Sequence, residues 1–166
     1  STISHSQGLY VFDSSVLIEG NLLDHNGWYK QKFTSTDPKE EGKATKFNHN
    51  AYLTNLNNSL IIDNIITRSS SIGLKFVNRV YTKANGVNVY NVWVDNNLVV
   101  EGEVGFSIGG NKDYGDGFRF RNIKVTDNVL MHIGQSQPTK RTLAWHIEVN
   151  DWDGGIISGN YSLYND

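Results

Sequence analysis

The chain contains no cysteine and, in 166 residues, only two prolines and one methionine. Without cysteine there are no disulfides, no thiolate metal sites and no cysteine nucleophile. No apolar run approaches the roughly 18 residues of a membrane-crossing helix, and the opening "STISHSQGLY" lacks the layout of a secretory signal. Neither sign of charge dominates. The net charge is −2, which excludes a broad basic surface for nucleic acid or anionic membranes. Nowhere does a 3.6-residue apolar face persist for about 12 residues, so long amphipathic helices are excluded. There is no phosphate-binding loop, dinucleotide fingerprint, HExxH or GxSxG.

What the chain does have is valine, isoleucine, tyrosine, asparagine and 16 glycines, a vocabulary of strands and turns. It also repeats. Five segments share a template when set on one asparagine: "LIEGNLLDH" on Asn21, "IIDNIITR" on Asn64, "VYNVWVD" on Asn91, "FRNIKVT" on Asn122 and "ISGNYSLY" on Asn160. Their unequal spacing is absorbed by insertions near 30–47, 109–117 and 134–142. Four residues before each Asn stand Leu17, Leu60, Val87, Phe118 and Ile156, and one residue after it Leu22, Ile65, Val92, Ile123 and Tyr161. Apolar columns at fixed offsets are expected of parallel strands stacked around one interior.

A second strand recurs in step: "GLYVF" (8–12), "NAYLT" (50–54), "GLKFV" (73–77), "GFSIG" (105–109) and "AWHIE" (144–148). Its inward pairs are Leu9/Val11, Ala51/Leu53, Leu74/Phe76, Phe106/Ile108 and Trp145/Ile147. The residue between each pair faces outward, giving a column of Tyr10, Tyr52, Lys75, Ser107 and His146. A further outward column follows the asparagines by four residues: His25, Arg68, Asp95, Thr126 and Tyr164.

The Asn-anchored rungs, these Gly-led strands and the asparagine-rich turns resemble the right-handed parallel β-helix of the pectate-lyase-like superfamily over essentially the whole chain. More narrowly, "DHNG…FNHNAYL…IITRSSSIGLKF" resembles β-helix domains of bacterial and phage polysaccharide-degrading proteins. The resemblance implies an all-β, single-domain solenoid spanning 1–166, of about six or seven rungs at roughly 20–25 residues each. It also implies a structural role for the five asparagines as a hydrogen-bonded ladder, a polysaccharide or oligosaccharide as partner, and an extracellular or cell-surface setting (a secreted bacterial protein or a phage virion).

Equivalent residues on successive rungs lie about 4.8 Å apart, so Tyr52 is expected between Tyr10 and Lys75, with His49 at the edge of its strand. His25 and Arg68 are expected as neighbours, and Trp28 and Tyr29 stand at the start of an insertion carrying Lys39, Lys43 and Lys46. Aromatic faces cover the apolar faces of pyranose rings, and cations meet carboxylates. An anionic sugar therefore suits this face. In β-elimination on a uronate a base removes the proton α to the carboxylate while cations stabilise the enediolate. Tyr52 or His49 is the expected base and the other the acid, with Arg68 and Lys75 on the carboxylate. Tyr10, His25, Trp28, Tyr29 and Asn50 are the expected binding residues. Metal-assisted relatives use a carboxylate cluster, and none stands beside Tyr52, so no metal or other cofactor is expected.

Two other readings stay open. A glycoside hydrolase needs two carboxylates about 5–9.5 Å apart, for which Asp24, Asp63 and Asp95 are the candidates. A non-catalytic glycan-binding or fibre segment needs none. His5, His132 and His146 lack comparable company and read as structural, and "GGNKDYGDG" (109–117) reads as a turn insertion. Because a β-helix leaves strand edges and an apolar interior at each end, a longer chain, a second chain or an oligomeric neighbour is expected to cover them.

Overall fold

The computed structural model describes residues 7–28, 44–79, 89–109 and 120–164. Among them there is no helix, and every element is a strand. In chain order these are β1 (Leu9–Phe12), β2 (Leu17–Glu19), β3 (Leu22–Asp24), β4 (His49–Thr54), β5 (Asn57–Ile62), β6 (Ile65–Thr67), β7 (Ile72–Val77) and β8 (Val89–Asp95). There follow β9 (Leu98–Gly102), β10 (Val104–Ile108), β11 (Phe120–Thr126), β12 (Val129–Ile133), β13 (Ile147–Val149), β14 (Trp152–Ser158) and β15 (Tyr161–Leu163). Every third strand pairs in parallel with the next. Sheet A takes β1-β4-β7-β10-β13, sheet B β2-β5-β8-β11-β14 and sheet C β3-β6-β9-β12-β15. The described residues form a right-handed parallel β-helix of about five rungs, rather than six or seven.

The interior is built from columns of alternate residues. On sheet A, Leu9, Ala51, Leu74, Phe106 and Ile147 stack in register. Sheet B contributes Ile18, Ile61, Val94, Val125 and Ile157. Sheet C contributes Leu23, Ile66, Val99, Leu130 and Ser162. In the middle rungs these side chains are almost wholly excluded from water, and each excluded methylene stabilises by about 0.8 kcal/mol.

The corner between sheets B and C turns through Gly20, Asp63, Asn96, Asp127 and Gly159, all at φ between 50° and 66°. Glycine, asparagine and aspartate tolerate this left-handed region best. The next residue is the ladder asparagine: Asn21, Asn64, Asn97, Asn128 and Asn160. From Asn64 onward, each side-chain oxygen accepts from the backbone and amide of the asparagine one rung before, as where Asn64 N and Nδ2 reach Asn97 Oδ1 at 3.0 and 2.9 Å. The same contacts join Asn21 to Asn64, Asn97 to Asn128 and Asn128 to Asn160.

Two of the expected ladder positions are therefore corrected. Asn91 and Asn122 do not lie in this corner. They belong, with Asn58, to an exposed outer ladder on sheet B, bonded at 2.9 and 2.8 Å and also at positive φ. Asn91 and Asn122, like the inner-ladder asparagines, precede an apolar residue in the sequence, so the apolar context alone cannot separate them. The preceding residue can. A Gly, Asp or Asn stands before every inner-ladder asparagine, whereas Tyr90 and Arg121 precede Asn91 and Asn122.

The expected interior column shifts with the ladder. Leu17 is 58 % exposed and Ile156 49 %. With Leu60, Trp93 and Lys124 they form an outward column on sheet B, while Val87 and Phe118 lie outside the described residues. On sheet A the last strand is displaced by two positions: Glu148, not His146, pairs with Ser107. Trp145 is exposed instead of inward. A shift of two preserves which side chains face in, so period-two alternation is blind to it.

Candidate functional site

The outward residues of sheet A form one wall of the larger cavity, of about 600 Å³. Tyr10, Tyr52 and Lys75 occupy the same register position on β1, β4 and β7, because each is the odd residue between two inward apolar neighbours. The rings of Tyr10 and Tyr52 stack at 6.0 Å and 21°. His49, at the start of β4, also stacks with Tyr52, with centroids 5.6 Å apart at 13°. It is only 4 % exposed, and its backbone N–H donates to Gln7 Oε1 at 2.7 Å.

The remaining walls come from turns and loops. Arg79, just beyond β7, places its guanidinium 5.7 Å from the Tyr52 ring centre and donates to the Tyr52 hydroxyl at 3.4 Å. Lys46 and Phe47 arrive from the turn before β4, with the Lys46 ammonium 5.2 Å from the Phe47 ring. Arg141 arrives from the strap at 134–142. That strap is pinned by Glu103, a fully buried carboxylate that accepts from Thr139 N at 2.7 Å and from the Thr139 hydroxyl, and ion-pairs with Arg141 at 3.7 Å. Arg141 also donates to the Lys46 carbonyl, joining the two loops.

Lys75 is the most constrained cation. Its ammonium donates to Ser107 Oγ at 2.8 Å and to the Gly109 carbonyl at 3.1 Å, and Ser107 in turn donates to Glu148. Burial pushes its pKa below the ordinary lysine value; Glu148 opposes that shift and Arg141 adds to it. The described lining thus holds Lys46, Lys75, Arg79 and Arg141 with three aromatic rings and a histidine, and no carboxylate. Such a surface attracts an anion and stacks a ring.

Four expected site residues lie elsewhere. Arg68 is not near Tyr52: its guanidinium forks onto Asp24, with Nε at 2.7 Å from Oδ1. That pair, helped by Thr67, holds the Asp24 carboxyl down at about 2. His25 and Trp28 line a separate cavity with Arg68. Asn50 is fully buried, its oxygen accepting from Asn26 N at 3.0 Å and its amide donating to the Thr67 carbonyl at 2.8 Å, so it braces a corner rather than facing a ligand. Tyr29, Lys39 and Lys43, with most of the 30–47 insertion, lie outside the described residues, as does His5. Glu101 and His132, not Asp95 and Thr126, continue the His25–Arg68 column. His132 stacks on Tyr164 at 4.8 Å, and His146 is buried with its ring nitrogen 2.7 Å from Ser162 Oγ. Asp95 accepts from Thr126, and Asp63 from Asn96 at 2.7 Å.

Sequence reasoning missed Phe47, Arg79, Arg141 and Glu148. Only Glu148 had a usable signal, since it lies one step beyond an inward Ile147 just as Ser107 lies beyond Phe106. No family model matches the chain, and comparisons with curated proteins and with solved structures give no match.

Proposed function

We propose that this β-helix is carbohydrate-active, of the pectate-lyase-like kind, and that the larger cavity holds a uronate residue of an anionic polysaccharide and cleaves its chain by β-elimination. The observation that carries this reading is the coincidence of four cations and three aromatic rings, with no described carboxylate, around about 600 Å³ on the outer face of sheet A. The rings of Tyr10 and Tyr52 stack a pyranose, and Lys75, Arg79 and Arg141 receive its carboxylate. One of Tyr52 and His49 removes the proton α to the carboxylate. The electron pair forms the new carbon–carbon double bond, the glycosidic oxygen departs, and the other residue returns a proton to it. A polymeric substrate of this kind is met at a cell surface or outside the cell, in keeping with a secreted or virion protein.

The hydrolase reading lacks its pair of carboxylates among the described lining residues. Asp24 is held by Arg68, while Asp63 and Asp95 bond to neighbours on other faces.

Incubation with a panel of uronate-containing polysaccharides, read by ultraviolet absorbance and by reducing-end assay, tests the proposal. Unsaturated uronate products are expected, with turnover falling about 10²–10⁴-fold in Tyr52→Phe while circular dichroism is unchanged. Reducing ends without the unsaturated chromophore would replace the lyase with a hydrolase. Binding without any product would leave a glycan binder.

A further inference from the structure

The outer corner where sheet C passes to the next rung carries a second cavity of about 220 Å³. His25, Arg68 and Glu101 stack there in one column, at φ of 56°, 49° and 61°. Arg68 and Glu101 are not residue types that favour this left-handed region, unlike the Gly, Asp and Asn of the neighbouring corner. Trp28 and Ser69 supply the floor, and Ser136 of the strap closes one side.

Three features fix what this cavity recognises. The Trp28 indole is held in place, its N–H donating to the Arg68 carbonyl at 2.9 Å and its ring meeting His25 edge-on at 5.0 Å. A fixed indole face suits the apolar face of a pyranose. Ser69 is 2 % exposed and its hydroxyl has no hydrogen-bond partner among the described residues. A buried hydroxyl of this kind is costly unless a ligand group completes it. Position 102 is glycine, and a Cβ there would lie 2.4 Å from Ser69 Oγ; the absence of a side chain keeps the hydroxyl clear.

The third feature is charge. Arg68 is already matched by Asp24, and Glu101 adds a carboxylate to the wall. A second uronate would meet Glu101 without a spare arginine, whereas the hydroxyls of an uncharged sugar can donate to it. We infer that the smaller cavity is a second carbohydrate site, selective for one uncharged pyranose. The inference rests on the carbohydrate reading above, and it makes the substrate class a heteroglycan of charged and uncharged residues. The strap separates the two sites, lending Ser136 and Pro138 to the smaller and Arg141 to the larger.

Isotope-labelled protein titrated with methyl glycosides of glucose, galactose and N-acetylglucosamine, and separately with glucuronate and galacturonate, tests this. At least one neutral glycoside is expected to move the Trp28 indole resonance, and the uronates to leave it in place. Ser69→Ala is expected to weaken that binding about fivefold without lowering the melting temperature, and Trp28→Ala, read by calorimetry, to abolish it. A Trp28 resonance indifferent to all neutral glycosides, or equally sensitive to uronates, would overturn the inference. So would a Ser69→Ala protein that melts lower yet binds unchanged. The two readings fail separately: neutral glycosides acting at Trp28 while uronates leave Tyr52 untouched would remove the proposed function alone, and the reverse would remove this second site alone.

Discussion

Two asparagine ladders run along the solenoid, one inside the corner between sheets B and C and one on the outer face of sheet B. In the inner ladder Asn64, Asn97 and Asn128 are buried, and their amides serve backbone groups of two rungs as well as one another. Asn97, for example, donates to the carbonyls of Ile61 and Asp95 at 2.9 and 3.0 Å. In the outer ladder the exposed Asn91 donates to the Asn58 side-chain oxygen and accepts from the Asn122 amide. Both ladders occupy positions where the chain turns or bulges, yet only the inner one satisfies groups that nothing else can reach. The difference lies in solvent, not in residue type or spacing.

The sharpest way to break that comparison is to remove the amide. Asn97→Ala leaves the buried Asn64 N–H without its partner and takes one donor from the Ile61 and Asp95 carbonyls. Its expected cost is about 2–4 kcal/mol, with roughly 1–3 kcal/mol for the orphaned N–H and the rest for the other lost bonds, read by urea unfolding. A loss under 1 kcal/mol would show that water replaces the amide. A smaller effect separates the amide ladders from the ionic column at the next corner, because amides do not titrate and Asp24 does. Its carboxyl, held at about 2 by Arg68, is below its unfolded value, so the unfolded chain binds more protons between the two. The pair's stabilisation is therefore full above about pH 4–5 and is lost as pH falls towards 2. Arg68→Gln should flatten this acid limb of the stability profile, and an unchanged slope would detach Arg68 from Asp24. The smallest effect belongs to Asn91→Gly. Glycine accepts the φ of 54° at no steric cost and the lost bonds are exposed, so stability should stay within about 0.5 kcal/mol. A larger loss would give the outer ladder a structural role.

The same contrast explains what could be read from the sequence of the site. Tyr10, Tyr52 and Lys75 were legible because three short strands alternate cleanly and their inward neighbours are unmistakably apolar. Phe47, Arg79 and Arg141 were not, since each reaches the cavity from a turn or strap with no repeat to align it. Arg68 was misassigned to the same site because its distance from Tyr52 depends on how sharply the corner after sheet C turns, and that corner sends it to the opposite side of the strap. Asn50 stands two residues before Tyr52, so period-two alternation places it on the same outer face, yet its side chain turns into the corner, to Asn26 N and the Thr67 carbonyl.

The chain's own pattern dictated the solenoid: period-two alternation, β-branched and aromatic columns, and left-handed corner residues placed before asparagine leave little else that buries the apolar side chains. It equally determined that Tyr10, Tyr52 and Lys75 share a face, because pleat and rung spacing follow from local geometry. Which asparagines are inside, which cations surround Tyr52, and how far Lys75 is withdrawn from water were settled by the packing of the folded chain. Those outcomes depend on bulges and on loops distant in the chain packing over the same rungs. Burial and charge balance are properties of what surrounds a residue, and no local pattern encodes them.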